Sequence, residues 1–107
     1  MKNKSKPQKT QLETGNRANL DRSEIRILVV EDNQDAMIQV QSVLKKENYV
    51  VDLATGGQEA LDYVQHTIPD GIILDLMMPE IDGFEVLEKL RGTEKTKNIP
   101  VLILKLW

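Results

Sequence analysis

Short apolar runs that alternate with amphipathic segments constrain the fold of this chain more than any other feature. Four runs, IRILVV, YVVDLA, GIILD and IPVLIL, are rich in β-branched residues and have the length of buried strands. Nearly all-apolar strands that alternate with helices are typical of βαβ units and of a parallel sheet covered on both faces. Because crossovers between parallel strands are right-handed, we predict a doubly wound α/β fold.

Three helices are predicted between these strands. Asn33 is expected to cap the first, because its side chain can accept a hydrogen bond from the free N–H groups of the first turn. That helix covers residues 34–46, the second begins at the glycine pair 56–57, and the third begins near Asp82. The apolar residues that recur at helical spacing, and are expected to face the core, are Ala36, Met37, Val40, Val43, Leu44, Ala60, Leu61, Val64, Phe84, Leu87 and Leu90.

Charge divides the 107 residues into two parts. Residues 1–24 carry six Lys or Arg against three acids, a net charge of +3, with only two leucines to bury, and we predict a disordered basic tail. Residues 25–107 are predicted to form one domain, with eight bases and fourteen acids, a net charge of −6. An acidic domain argues against nucleic-acid binding. The absence of cysteine and of a signal-like or membrane-spanning apolar run makes the cytoplasm the expected location.

Carboxylates follow two of the predicted strands. Glu31 and Asp32 end the first strand and Asp75 ends the third. A single acid in such a place usually caps a helix or lies in a solvated turn, but the carboxyl ends of neighbouring parallel strands meet at one edge, where ligands bind. Three carboxylates there repel one another unless a hard divalent cation such as Mg²⁺ is bound. Aspartate can also attack phosphoryl groups to form an aspartyl-phosphate. We therefore predict Asp75 as the phosphoacceptor and Glu31 and Asp32 as metal ligands.

The segments ILVVEDN, LATGGQEAL and PDGIILDLMMPEIDGFEVLEKLR resemble the receiver domain of two-component response regulators, and the resemblance covers residues 25–104. It implies a flavodoxin-like fold with five strands in the order 2-1-3-4-5. It also implies that a sensor histidine kinase or phosphotransfer protein donates the phosphoryl group to Asp75 in a phosphorelay. Mg²⁺ would then be bound by Glu31, Asp32, Asp75 and the backbone carbonyl of Met77. The domain would be a substrate of the kinase and not an enzyme itself.

The resemblance also implies parts that this sequence lacks. Receivers continue with a Ser or Thr after the fourth strand, then a helix, a fifth strand that ends at a Lys, and a last helix. Here Lys105 stands at the Ser/Thr position and Trp107 is the last residue. We therefore expect an incomplete fold, with four of five strands and three of five helices, in a truncated receiver whose phosphorylation is impaired. The fourth strand would be an exposed edge through which chains self-associate.

Two other functions stay open. One is an unphosphorylated receiver-like interaction module or a non-functional fragment, favoured by the short chain. The other is a phosphohydrolase, which needs a second acid two residues after the nucleophile, where Met77 stands. His66 is predicted to be a surface residue and not a phosphodonor, and Met77 and Met78 are predicted to pack over the metal site.

Overall fold

The computed structural model describes residues 24–104, which form a parallel sheet with helices on both faces. The predicted strands and helices are all present, within one or two residues of the expected bounds. In chain order they are β1 (Arg26–Val30), α1 (Gln34–Lys46), β2 (Val50–Ala54), α2 (Gly57–His66), β3 (Gly71–Asp75), α3 (Gly83–Arg91) and β4 (Val101–Leu104).

The strand order is β2-β1-β3-β4, and every neighbouring pair is parallel. This is the order that the receiver resemblance implies for its first four strands. The register of β1 and β3 matters most for function, because it pairs Val30 with Leu74. The residues that follow each of these, Glu31 and Asp75, therefore lie next to each other at the carboxyl edge of the sheet.

Side-chain caps fix where two of the helices begin. The Asn33 side chain accepts a hydrogen bond of 2.9 Å from the Ala36 N–H, as predicted, and the Asp82 side chain accepts one of 2.9 Å from the Glu85 N–H. Each cap satisfies an N–H group that has no partner within its helix. The loops that carry the acidic residues therefore end at defined points.

The main core lies between the sheet and one pair of helices, α2 and α3. Its fully buried members include Leu28 and Val30 of β1, Leu74 of β3 and Val86 of α3. Val29 lies between the two β1 residues and, because side chains alternate along a strand, points to the opposite face. Ala36 and Met37, the buried residues of α1, lie outside that cluster. The fold therefore has three layers, as the apolar strands predicted.

Two helix residues that were predicted to face the core are exposed. Val43 of α1 and Phe84 of α3 are each 62% exposed. On α3 the buried positions are Val86 and Leu90, with Leu87 partly buried. The prediction for Phe84 was wrong because Val86, Leu87 and Leu90 form the packed stripe of α3, and Phe84, two residues before Val86, lies almost on the opposite side of the helix from it.

β4 is an edge strand among the described residues, because its one strand neighbour there is β3. Leu102 is 65% exposed and Ile103 is 39% exposed, so each face of this strand is partly open. The predicted basic tail, apart from Glu24, and Lys105–Trp107 lie outside the described residues. Within residues 24–104, none of the helices is both long and apolar enough to cross a membrane.

Candidate functional site

Three carboxylates come together at the carboxyl edge of the sheet, as the sequence predicted. Glu31 and Asp32 follow β1, and Asp75 ends β3. One carboxylate oxygen from each lies within 4.8 Å of the other two. Glu31 is 0% exposed and Asp75 is 4% exposed, whereas Asp32 is open to solvent. The cluster is therefore buried on the side of Glu31 and Asp75, and solvent reaches it on the side of Asp32.

Backbone N–H groups hold one oxygen of each buried carboxylate. The Asn33 N–H donates to Oε2 of Glu31 at 2.9 Å, and the Met77 N–H donates to Oδ1 of Asp75 at 2.9 Å. Oε1 of Glu31 is buried and has no hydrogen-bond partner among the described residues. A buried carboxylate oxygen without a partner is costly, since it has lost its water and gained nothing in return.

The environment of Glu31 favours its neutral form. Burial raises the pKa of Glu31 to about 7, and the nearby Asp75 and Asp32 carboxylates add to the shift, while the hydrogen bond from the Asn33 N–H opposes it. Without a cation, this carboxyl group therefore holds a proton at a pH where an exposed glutamate would be ionised.

The donor set fits a hard divalent cation. Three carboxylates supply oxygen ligands only, the free Oε1 of Glu31 lacks a partner, and the exposed Asp32 leaves room for water. Mg²⁺ prefers oxygen ligands and keeps several waters. The residues present could therefore hold Mg²⁺, and a cation would remove the repulsion among the three acids.

The loop after Asp75 is tightly folded. The Gly83 N–H donates to the Leu76 carbonyl at 3.2 Å, which closes the segment between them. A Cβ on Gly83 would lie 2.3 Å from the Asp75 carbonyl oxygen, so this position has room only for glycine. Glu80 adopts φ 62°, a left-handed conformation that is uncommon for a residue with a side chain. Gly83 therefore keeps this loop tight through its amide hydrogen bond and its close approach to the Asp75 backbone.

A second polar network was not predicted from the sequence. Arg26 Nη1 and the Tyr63 hydroxyl both donate to Oδ2 of Asp52, the first at 2.7 Å. The Tyr63 hydrogen bond and then the Arg26 guanidinium hold the pKa of Asp52 below its ordinary value, whereas burial and the Asp52 carboxylate raise the pKa of Tyr63 to about 12. The sequence feature that could have indicated this network is the single acid, Asp52, inside the apolar run YVVDLA. The network ties α2 to the edge strand β2.

The structure shows the positions of three residues about which predictions were made from the sequence. His66 is exposed at the end of α2, as predicted, with Nδ1 3.2 Å from the Asp62 carbonyl oxygen. Met78 is 6% exposed and belongs to the core, whereas Met77 is 76% exposed. The prediction that both methionines pack over the metal site was wrong, because the tight loop turns Met78 into the core and leaves the Met77 side chain in solvent.

Sequence comparison adds to this geometry. Residues 27–106 match the family described as the response regulator receiver domain. The chain belongs to this family. It is 42% identical over 80 residues to the response regulator MprA of Mycobacterium tuberculosis, a match that covers 75% of this chain and 34% of that protein. It is 40% identical over 81 residues to the response regulator Rre1 of Synechocystis, again over 75% of the chain and 35% of the relative. The chain thus spans about a third of the length of these curated relatives.

Solved receiver structures agree with the fold. The N-terminal domain of a response regulator receiver protein from Methanoculleus marisnigri superposes with a TM-score of 0.74 at 35% identity, over 77% of this chain and 67% of that one. The receiver domain of the sensor histidine kinase PA1611 from Pseudomonas aeruginosa gives a TM-score of 0.73 at 27% identity, over 76% and 66%. That structure has a magnesium ion coordinated in its active-site cleft. The flavodoxin-like parallel fold predicted from the sequence is confirmed.

Proposed function

We propose that this receiver accepts a phosphoryl group on Asp75 from a phosphohistidine of a sensor kinase or phosphotransfer protein. A carboxylate oxygen of Asp75 attacks phosphorus, the phosphorus–nitrogen bond breaks, and the imidazole stays with the donor protein and takes up a proton. The observation that carries the proposal is the position of Asp75: at the end of β3, nearly buried, and within reach of two further carboxylates. The domain is then a substrate of its partner and has no turnover of its own.

The chain's own groups prepare Asp75 for this reaction. The Met77 N–H donates to Oδ1 of Asp75 and so helps to orient the carboxylate. The Asn33 N–H donates to Oε2 of Glu31 in the same way. The loop at the start of α1 therefore helps to orient the other oxygen of Glu31, Oε1, which has no partner among the described residues. Such fixed positions matter because phosphoryl transfer depends mainly on positioning and on neutralised charge.

Mg²⁺ is the cofactor that we propose. Glu31, Asp32 and Asp75 would hold it. The resemblance to receiver domains implies the backbone carbonyl of Met77 as a fourth protein ligand. When bound, it would neutralise the negative charge of the carboxylates and of the incoming phosphoryl group. The magnesium ion in the PA1611 receiver supports this choice of metal. We propose the cytoplasm as the location, in keeping with a chain that contains no cysteine.

A second candidate function is protein association without phosphorylation. It is favoured by β4, whose one strand neighbour among residues 24–104 is β3 and whose side chains Leu102 and Ile103 are 65% and 39% exposed. An exposed apolar edge strand can pair with a strand of another chain. We propose self-association through β4 as an activity that can accompany phosphorylation or stand in its place.

Intact mass spectrometry after incubation with acetyl phosphate and Mg²⁺ tests the phosphoacceptor proposal. We expect one phosphoryl adduct, which is lost with EDTA and in Asp75→Asn. Asp82→Asn is the matched control, because Asn also caps helices and the change leaves the acidic cluster intact. An adduct that persists in Asp75→Asn, or the absence of any adduct in the wild-type chain, would contradict the proposal and leave the association function as the better explanation.

A further inference from the structure

The first residue of α2 touches the loop that follows the phosphoacceptor. A Cβ added to Gly57 would lie 2.6 Å from the Ile81 carbonyl oxygen and 2.8 Å from Cγ2 of both Ile81 and Val86. Real Cβ atoms essentially never come within 3.0 Å of such atoms, and one of the three obstacles is backbone. Gly57 has no positive φ, so the position requires glycine for space and not for conformation.

Ile81 belongs to the short closed segment that carries the Met77 amide. The segment from Leu76 to Gly83 is closed by the hydrogen bond between the Gly83 N–H and the Leu76 carbonyl, and Gly83 lies against the Asp75 backbone. A closed segment of this length has little freedom to absorb a displacement of Ile81. Movement at Ile81 therefore reaches the Met77 N–H, which holds Oδ1 of Asp75.

We propose that Gly57 is a positioning residue for the phosphoacceptor. By presenting no side chain to Ile81 and Val86, it lets the loop lie close against α2, and this contact keeps the Met77 amide bonded to the Asp75 carboxylate. The role in catalysis rests on the proposed function of Asp75, but the contact and its effect on Met77 do not. α2 thus takes part in the site although it supplies none of the three carboxylates.

The neighbouring glycine offers a matched control. A Cβ on Gly56 would meet nothing within 4 Å, and its φ of −169° is extended backbone that any residue adopts. Gly56→Ser therefore adds a larger side chain one residue away without a clash, and Ser is favoured at this N-cap position. Helix propensity alone would make Gly57→Ala stabilising, because Ala is a better helix former than Gly. A loss of stability in Gly57→Ala would thus be opposite in sign to the effect of helix propensity.

The first test uses the full 107-residue chain without metal or phosphodonor. In ¹H–¹⁵N NMR spectra we expect the Met77 amide resonance to move in Gly57→Ala. Its hydrogen exchange should accelerate by about 10-fold, the size expected when one net hydrogen bond is lost. In Gly56→Ser the position of the Met77 amide resonance and its exchange rate should stay as in the wild type. A Met77 amide that is equally unchanged in both variants would overturn the proposal. Circular dichroism reports whether each variant is folded.

If Gly57→Ala does not fold, Ile81→Ala tests the same contact by deletion, since it removes the Cγ2 that lies against Gly57. Faster exchange of the Met77 amide in that variant supports the proposal, and wild-type exchange overturns it.

The second test measures the rate of phosphorylation by acetyl phosphate with Mg²⁺. We expect Gly57→Ala to be slower by about 10- to 100-fold, as for a misplaced reacting group, and Gly56→Ser to match the wild type. Wild-type rates in Gly57→Ala would overturn the role in catalysis. A wild-type chain that takes no phosphoryl group, combined with a displaced Met77 amide in Gly57→Ala, would refute the proposed function and leave the positioning contact in place.

Discussion

The Asn33 backbone N–H donates to Oε2 of Glu31 at 2.9 Å, while Oε1 of the same buried carboxyl group has no partner among residues 24–104. The residue that caps α1 therefore also holds an acid of the candidate metal site. We expect this half-satisfied carboxyl group to make the stability of the domain depend on pH and on cations.

Metal-free stability should fall as the pH rises towards neutrality. The pKa of Glu31 is about 7 in the folded chain against an ordinary 4.5, so between these values the folded state keeps a proton that the unfolded state has lost. In EDTA, Glu31→Gln should therefore be more stable than the wild type by about 3 kcal/mol at pH 8, and about equal to it at pH 4.

Urea denaturation from pH 4 to pH 8 checks this expectation. The difference between the two chains should grow from about pH 4.5 and level off above about pH 7, the two pKa values that bound the window. A difference that does not change with pH would show that the buried carboxyl group is not the cause.

Mg²⁺ should stabilise the chain against unfolding at pH 8, because it binds the folded acidic cluster and not the unfolded chain. At 100 times its dissociation constant, the gain should be about 2.7 kcal/mol. Asp32→Asn should lose most of this gain in a thermal melt. Asp35→Asn, a nearby acid of the first turn of α1 that lies outside the cluster, should keep it. Equal loss in both variants would indicate binding to general negative charge.

Thr96 should contribute to stability through one buried hydrogen bond. Its hydroxyl donates to the Leu90 carbonyl at 2.6 Å, and the residue is 2% exposed. Thr96→Val leaves that carbonyl without this donor in a buried place, and we expect a loss of about 1–3 kcal/mol in urea denaturation.

Thr93 provides the matched control, because its hydroxyl also donates to an α3 carbonyl, that of Lys89, at 2.9 Å, but in solvent. Thr93→Val should change stability by less than about 0.5 kcal/mol. Similar losses in the two variants would mean that burial does not decide the effect.

Self-association through β4 should weaken when its edge carries a charge. Leu102→Lys places a cation at the most exposed apolar residue of that strand, and charged edge strands resist pairing. Sedimentation at increasing concentration should show association of the wild-type chain and less association of the variant. Gln39→Lys, which adds the same charge on the exposed side of α1, should associate as the wild type does. A wild-type chain that stays monomeric would exclude the edge as an interface.

The layer architecture followed from the sequence because apolar runs and helical spacing are local signals. The Asn33 cap, the bounds of β3 and the convergence of Glu31, Asp32 and Asp75 were all predicted, the last because parallel strands end at one edge. The faces of the helices were less predictable. Val43 and Phe84 fit the helical spacing of the apolar residues, yet they lie in solvent, since spacing indicates a stripe and not which neighbour covers it.

The sequence by itself determined the order of strands and helices, the acids at the strand ends and the family to which the chain belongs. Tertiary structure alone decided which oxygens are held and which are free, because hydrogen bonds such as that from Met77 to Asp75 depend on the path of a closed loop. It also decided that Gly57, 18 residues before Asp75 along the chain, lies against that loop. Contacts between distant segments arise from packing, which the local pattern of residues does not encode.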